Sequence, residues 1–552
     1  MAAVYCAIKS RRYGKALELL NTGDIDVNYK YNGIPLLAYA INVDSNKMDA
    51  ICVKLIDLGA DDHTYINDAD ETMLMTALRN GLANTARKLY DANKVNRTYI
   101  NKDGYSALTH ICSVNNSDDL GILLINDDID GNMIQTICGN STILIRAIQS
   151  SKEAIAMALI ATGKSRPEYC DGNGITALLH MFSTYRLNRA SRGKVALAII
   201  ATGQSNPGIC DSFGRTALLH ACQDDQADVA MALIATGQSK PEQCDNHGYT
   251  ALIWACSMTM KNVALALIAT GQSKPEQQNY LGYTALISSC HNKRRAIALA
   301  LIASGQSNPA QCDNTDTTAL IHACINKMTD VALALIATGL SKPEQVNKHI
   351  RTALIYACMR NMRTVALALI ATGQSRPERI AHNGENALIY ACQNMYMSDV
   401  ALALIATGQI NPGQIRYDPN IKQPKPDNSA GYTALIYACC NKMTDVAMAL
   451  IATGQSKPGY TNQHKGTALM QACSNNMVDV ALALIATGQS EPGHTNQHYG
   501  TALIRACCNE MTDVAMALIA TGQSMPMYKH IDMTALAYAQ DNNMIDVIAA
   551  LQ

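Results

Sequence analysis

A block opening with Thr-Ala-Leu recurs in this chain at a spacing of 34 residues. It reads Thr216-Ala217-Leu218, then Thr250-Ala251-Leu252, Thr284-Ala285-Leu286, Thr318-Ala319-Leu320 and Thr352-Ala353-Leu354, and the same step links Thr433, Thr467 and Thr501. Self-similarity at a fixed period of this size constrains the fold more than any composition does. Each unit is too small to bury its own apolar face and must stack on its neighbours, which gives a solenoid. Function in such an array spreads over a long repeated surface, so an enzyme is not expected and no catalytic residue is assigned.

Charge narrows the partners. Lys plus Arg is 44 and Asp plus Glu is 45, a formal net charge of -1, whereas nucleic-acid binders carry a basic excess. No nucleic-acid partner is expected. Charged residues are 16% of the chain, below the usual quarter, which predicts helices buried on several sides. Lys9, Arg11 and Arg12 interrupt the start before an apolar leader can form, and runs such as Val263-Ala264-Leu265-Ala266-Leu267-Ile268-Ala269 are too short to span a bilayer. The expectation is a soluble cytoplasmic monomer with no membrane partner.

The 19 cysteines fall on the repeat. Cys222, Cys256, Cys290, Cys324, Cys358 and Cys392 are one period apart, as are Cys439, Cys473 and Cys507. Small thiols packed between helices explain that placing. A disulfide framework belongs to short secreted chains, and no Cys-x-x-Cys with histidine spacing supports zinc.

Within one unit, Thr250 is placed to cap a helix over Ala251–Cys256. A polar or methionine-bearing turn, Met258 to Asn262, leads to a second helix, Val263–Thr270, closed by Gly271. That second helix is apolar nearly all round, which predicts that it is sandwiched. An extended connector follows, with Pro275 one of a series (Pro207, Pro241, Pro275, Pro309, Pro343, Pro377) at the same period. Helix, turn, helix and projecting finger is the expected order.

On these residues the unit resembles the ankyrin repeat, whose pattern has a glycine, a Thr-Pro-Leu-His start to helix one and a Leu-Leu-x-x-Gly end to helix two. The resemblance implies an all-α ankyrin-type helix-turn-helix solenoid with projecting finger loops. The chain departs from the pattern: alanine generally replaces the proline, Ile or Leu the histidine, and the glycine between the helices is mostly lost. The tetratricopeptide repeat shares the period of 34 but fills it with longer helices and internal aromatics; the proline-bearing connector fits ankyrin better. Fifteen openings run from Pro35 to Thr534. Residues 1–23 are expected to be an N-terminal capping helix pair, 24–140 degenerate repeats, and 141–552 repeats interrupted at 185–192 and 409–430. Both interruptions read as surface loops, inexpensive in free energy or contacting a partner.

Comparing the copies with one another locates a candidate binding face. One column of helix one varies while its neighbours stay fixed, and it includes His110, His180, His220, Trp254, His322, Tyr356, Tyr390 and Tyr437. These are residue types enriched at interface hot spots. The column is expected to line the concave groove with the finger tips and to bind a protein; the alternative is that its rings stack between repeats as packing. No chemistry competes. Asp127, Asp128 and Asp130 read as solvated, His494 and His498 fall in a finger rather than a helix, and no phosphate-cradling or nucleophile motif occurs. Neither cofactor nor metal is expected. Long homogeneous arrays of this kind resemble those of large DNA viruses of protists and of intracellular bacteria, which implies a host protein as target. The second reading is an adaptor that brings a host protein to a ubiquitin ligase. Residues 544–552 read as the last helix of the last repeat, leaving no recruiting domain and weighing against it.

Overall fold

The computed structural model describes the chain apart from residues 1, 23–25, 44–46, 61–63, 94, 113–116, 129, 136, 139, 184–186, 416–430, 463, 497 and 499. Two compact units divide it, Met1–Ser273 and Lys274–Gln552. Each is built of short helix pairs joined by fingers.

The repeat opened by Thr318 shows why this sequence folds as it does. Thr318 Oγ1 accepts the N–H of Ile321 at 3.3 Å, starting a seven-residue helix over Ala319–Ile325. Every threonine of the series, and Asn386 in its place, caps in this way. Helix two covers Thr329–Ala337. Thr338 Oγ1 closes it by donating to the Leu335 carbonyl at 2.6 Å, and Gly339 follows at φ 69, a left-handed stop that spares Cβ a clash. Helices of seven and nine residues are too short to persist alone. Their stability comes from stacking: Leu320, Ala323, Cys324, Val331, Ala332 and Leu335 are wholly buried.

Adjacent repeats are also stapled by asparagine. Asn326 Nδ2 donates to the carbonyls of Cys290 at 2.9 Å and His291 at 3.1 Å in the preceding repeat. Asn441, Asn475, Asn509 and Asn542 do the same to Cys392, Cys439, Cys473 and Cys507. Each side chain adds a donor to carbonyls at a helix end, where backbone partners are few and long, as from Lys293 N–H to Cys290 at 3.4 Å.

Three features differ from the sequence reading. Helix two is not sandwiched: Val, Ala and Leu are buried on one side, yet Leu333, Ala334 and Ile336 are half-exposed and Ala337 is exposed. Aliphatic residues here face outward because short helices stacked in one layer have only one side to bury. The interruption at 185–192 is partly helical, since Asn188 Oδ1 accepts the Ser191 N–H at 2.8 Å and starts a 13-residue helix over Arg189–Ala201. Tyr185 and Arg186 lie outside the described residues, as does most of the 409–430 interruption. The fingers add a little β-structure to the helical fold, as two-residue hairpins such as Lys30–Tyr31 with Ile34–Pro35 or as single bridges such as Cys312 with Thr318.

The first unit begins with helices Ala2–Lys9 and Tyr13–Leu20, which bury Val4, Ile8, Ala16 and Leu20. The 18 described cysteines are free thiols. Those of the repeat column are buried, and burial pushes the Cys324 thiol up to about 12.

Candidate partner-binding face

Each finger is organised by one short polar side chain. Asp313 Oδ1 accepts the backbone N–H groups of Thr315 at 2.8 Å and Thr317 at 3.0 Å, closing a loop in which Asp316 sits at φ 59. Asp245 holds His247 and Tyr249 in the same way, Asn279 holds Leu281 and Tyr283, and Asn347 holds His349 and Arg351. Asp and Asn suit this position because their side chains reach the backbone just ahead of them.

The other oxygen or nitrogen of the same side chain faces helix one. Asp313 Oδ2 lies 2.9 Å from His322 Nε2, Asp211 Oδ2 2.9 Å from His220, and Asp171 Oδ2 2.8 Å from His180. Where the ring is tyrosine, an asparagine amide donates instead, from the same place before Tyr356 and from two residues later before Tyr390, where Ala381 takes that place. Asn347 Nδ2 donates to Tyr356 Oη at 3.2 Å, and Asn383 Nδ2 to Tyr390 Oη at 2.9 Å. His180, His220, His322, Tyr356 and Tyr390 therefore each clamp a finger to its own helix one.

The charges follow from these contacts. Burial alone would raise the Asp313 carboxyl, but hydrogen bonds from His322, the Thr315 hydroxyl and two backbone N–H groups outweigh it and hold the group at about 2. Burial lowers His220 despite the opposing Asp211 charge, and lowers His110 despite Glu71. Burial, then the charge and hydrogen bond of Glu385, pushes Tyr390 up to about 12.

Rings in the column stack mostly within their own repeat, on the residue five positions earlier. Trp254 lies on Tyr249 with centroids 4.4 Å apart, Tyr437 on Tyr432 at 4.8 Å and His110 on Tyr105 at 5.4 Å. His220 also stacks across the repeat boundary on Phe182 at 5.5 Å. His322, Tyr356 and Tyr390 are 7%, 5% and 7% exposed, so they present an edge rather than a ring face. His110, His180, His220, Trp254 and Tyr437 are half-buried.

On the fingers Phe213 is 56% and Tyr280 61% exposed, with Leu281 and Ile350 beside the same turns, while Leu197, Met231, Met448 and Met516 are exposed on helix two. The tips are tied to one another: Asn314 N–H donates to the Leu281 carbonyl at 3.1 Å, Lys348 N–H to Thr315 at 3.0 Å, and in the first unit Asn246 N–H to Phe213 at 3.0 Å. Gly282 permits this approach, for a Cβ there would lie 2.8 Å from the Asn314 nitrogen. An Asp or Asn stands nine residues before His110, His180, His220, Trp254, His322 and Tyr356, though Ala381 stands there before Tyr390. Among the described residues, no group of three or more His, Cys, Asp or Glu is placed to hold a metal, and no helix is long and apolar enough to cross a membrane.

Against this geometry, the family model described as ankyrin repeats (3 copies) matches residues 187–278, 410–496 and 469–552. These segments are ankyrin repeats. The repeats between the matched segments carry the same caps and the same finger loops. The lost glycine between the two helices of the ankyrin pattern leaves the turn unchanged: Lys293, Lys327, Asn361, Lys442, Asn476 and Glu510 all take left-handed φ values between 54 and 60. No curated protein matches the chain.

Proposed function

We propose that this chain is a non-enzymatic scaffold that binds a protein on the face formed by its finger tips and the exposed edge of helix one. Ankyrin repeats are protein-interaction modules, and that much follows from the family. The observation that carries the choice of face is the rigid display of Tyr280, Leu281 and Ile350 in the second unit and, separately, of Phe213 in the first. Exposed aromatic and aliphatic residues on loops invite a partner, and loops already ordered by hydrogen bonds lose little entropy on binding. Half-buried column residues supply the floor behind the tips of each unit, Trp254 and His220 in the first and Tyr437 in the second. His322, Tyr356 and Tyr390 act through the finger they hold. The free thiols fit a reducing compartment, in keeping with the cytoplasm.

Photo-crosslinking tests this reading. A benzophenone side chain at Tyr280 is expected to trap a protein in cell lysate, and one at Met516 on the outer side of helix two is not. Trapping only from Met516 would overturn the choice of face, and trapping from neither would overturn the scaffold reading.

A further inference from the structure

The second unit distributes its charge unevenly. Residues 292–383 carry eleven Lys or Arg and five Asp or Glu, while 431–552 carry five and eight. In a chain of net charge -1, that separation gives the earlier repeats of this unit a positive local field.

A row of cations at the turns and a cluster on one finger frame the helix-one face there. Lys293, Lys327 and Arg360 stand exposed at the turns between helix one and helix two of successive repeats. Lys348 and His349 stand exposed at a finger tip, with Arg351 at its base. Arg295 and Arg363 are engaged by Asp330 at 3.1 Å and Asp399 at 2.6 Å. Among the described residues, Lys293, Lys327, Lys348, Arg351 and Arg360 form no ion pair. Arg351 lies over the Tyr356 ring at 5.7 Å, and its Nε is buried without a hydrogen-bond partner.

Aromatic rings lie between the turns and the fingers. Tyr283 at a finger base lies 5.2 Å from His291 in the last turn of helix one, and His291 lies 5.1 Å from His322 in the next repeat. We propose that this face, across the repeats opened by Thr284, Thr318 and Thr352, binds an acidic segment of a partner protein. The assignment rests on the scaffold reading and adds to it the chemistry of the partner. Carboxylates along the segment meet the turn row and the Lys348 finger, while its apolar side chains meet Tyr280, Leu281 and Ile350. A nucleic acid fits less well. The His322 and Tyr356 rings are nearly covered and offer no face for bases to stack on. A long polyanion would also run on to repeats bearing Asp445, Asp479 and Asp513.

The test uses the full chain and three labelled probes: a glutamate- and leucine-rich peptide, its glutamine counterpart, and an oligothymidylate of equal charge. Anisotropy titration is expected to show binding of the glutamate peptide alone, weakening as salt rises. The triple variant Lys327→Glu, Lys348→Glu, Arg360→Glu is expected to weaken it by about tenfold or more. The control Lys442→Glu, Lys457→Glu, Lys465→Glu makes the same change in net charge and is expected to leave it within about twofold. Single Lys348→Gln serves if the triple variant melts early, with an expected loss of about threefold. No binding of the glutamate peptide, tighter binding of the oligothymidylate, or equal loss in the control would overturn the proposal. Failure here with continued crosslinking from Tyr280 removes the acidic partner and leaves the scaffold reading standing.

Discussion

His322 Nε2 and Asp313 Oδ2 are 2.9 Å apart, and the same carboxylate holds the Thr315 and Thr317 amides through its other oxygen. One aspartate thus couples a finger loop to helix one, and the coupling titrates. The Asp313 carboxyl, held at about 2 in the folded chain against 3.8 ordinarily, adds stability that is full above pH 4 and lost as pH falls towards 2. With allowance for solvent screening this is about 1–2 kcal/mol. Asp313→Asn is expected to flatten the acid limb of a melting-temperature profile over that window while costing stability at neutral pH.

Histidine acts in a second window. Burial lowers His220 and His110 below 6.5, so unfolding takes up protons as pH drops through 6.5 and stability declines below it. Melting followed by circular dichroism is expected to fall from pH 7.5 to 5.5, and less steeply in His220→Gln.

The asparagine staples carry the coupling between repeats. Asn475→Ala leaves the Cys439 and Cys440 carbonyls without their side-chain donor, at a cost of about 1–2 kcal/mol. Urea unfolding is expected to show an earlier midpoint, with a broader transition as neighbouring repeats decouple.

Left-handed lysines are a reservoir of strain. Lys327 at φ 55 and Lys442 at φ 54 hold a conformation costing a side chain about 1 kcal/mol that glycine adopts freely. Lys442→Gly is expected to stabilise by about 0.5 kcal/mol after glycine's own entropy cost, and Lys442→Val to destabilise.

Thiol reactivity separates column from surface. Cys6 and Cys508 are exposed, whereas Cys324 is buried with its thiol at about 12. Alkylation at pH 8 is expected to label Cys6 and Cys508 first and Cys324 only on unfolding.

Much of this fold is legible in the sequence because the repeat compares each position with its own copies. Thr318 as cap, Gly339 as stop and Cys324 as packing all follow from fixed columns with known local chemistry. Helix two reads as sandwiched because a moment of apolar residues says nothing about how many neighbours arrive; Leu333 and Ile336 face outward since the repeats form a single layer. The column holding His322 reads as a binding site because variability alone does not separate contact with a partner from contact with a loop. Its partner Asp313 lies nine residues earlier across a finger, a spacing with no helical or strand period to reveal it. Asn326 is hidden for a similar reason, since a polar residue after a helix looks like turn solvation until the preceding helix end is beside it.

The central claim is that the helix-one column holds the fingers in place and so presents their tips ready to bind. Native-state hydrogen exchange reads this directly at the Thr317 amide, which donates to Asp313 Oδ1. The account predicts protection in the native chain and, in His322→Ala, exchange about tenfold faster at Thr317 with the Leu335 amide of helix two unchanged. A Thr317 amide that exchanges freely in the native chain, or at the same rate in His322→Ala, would contradict it.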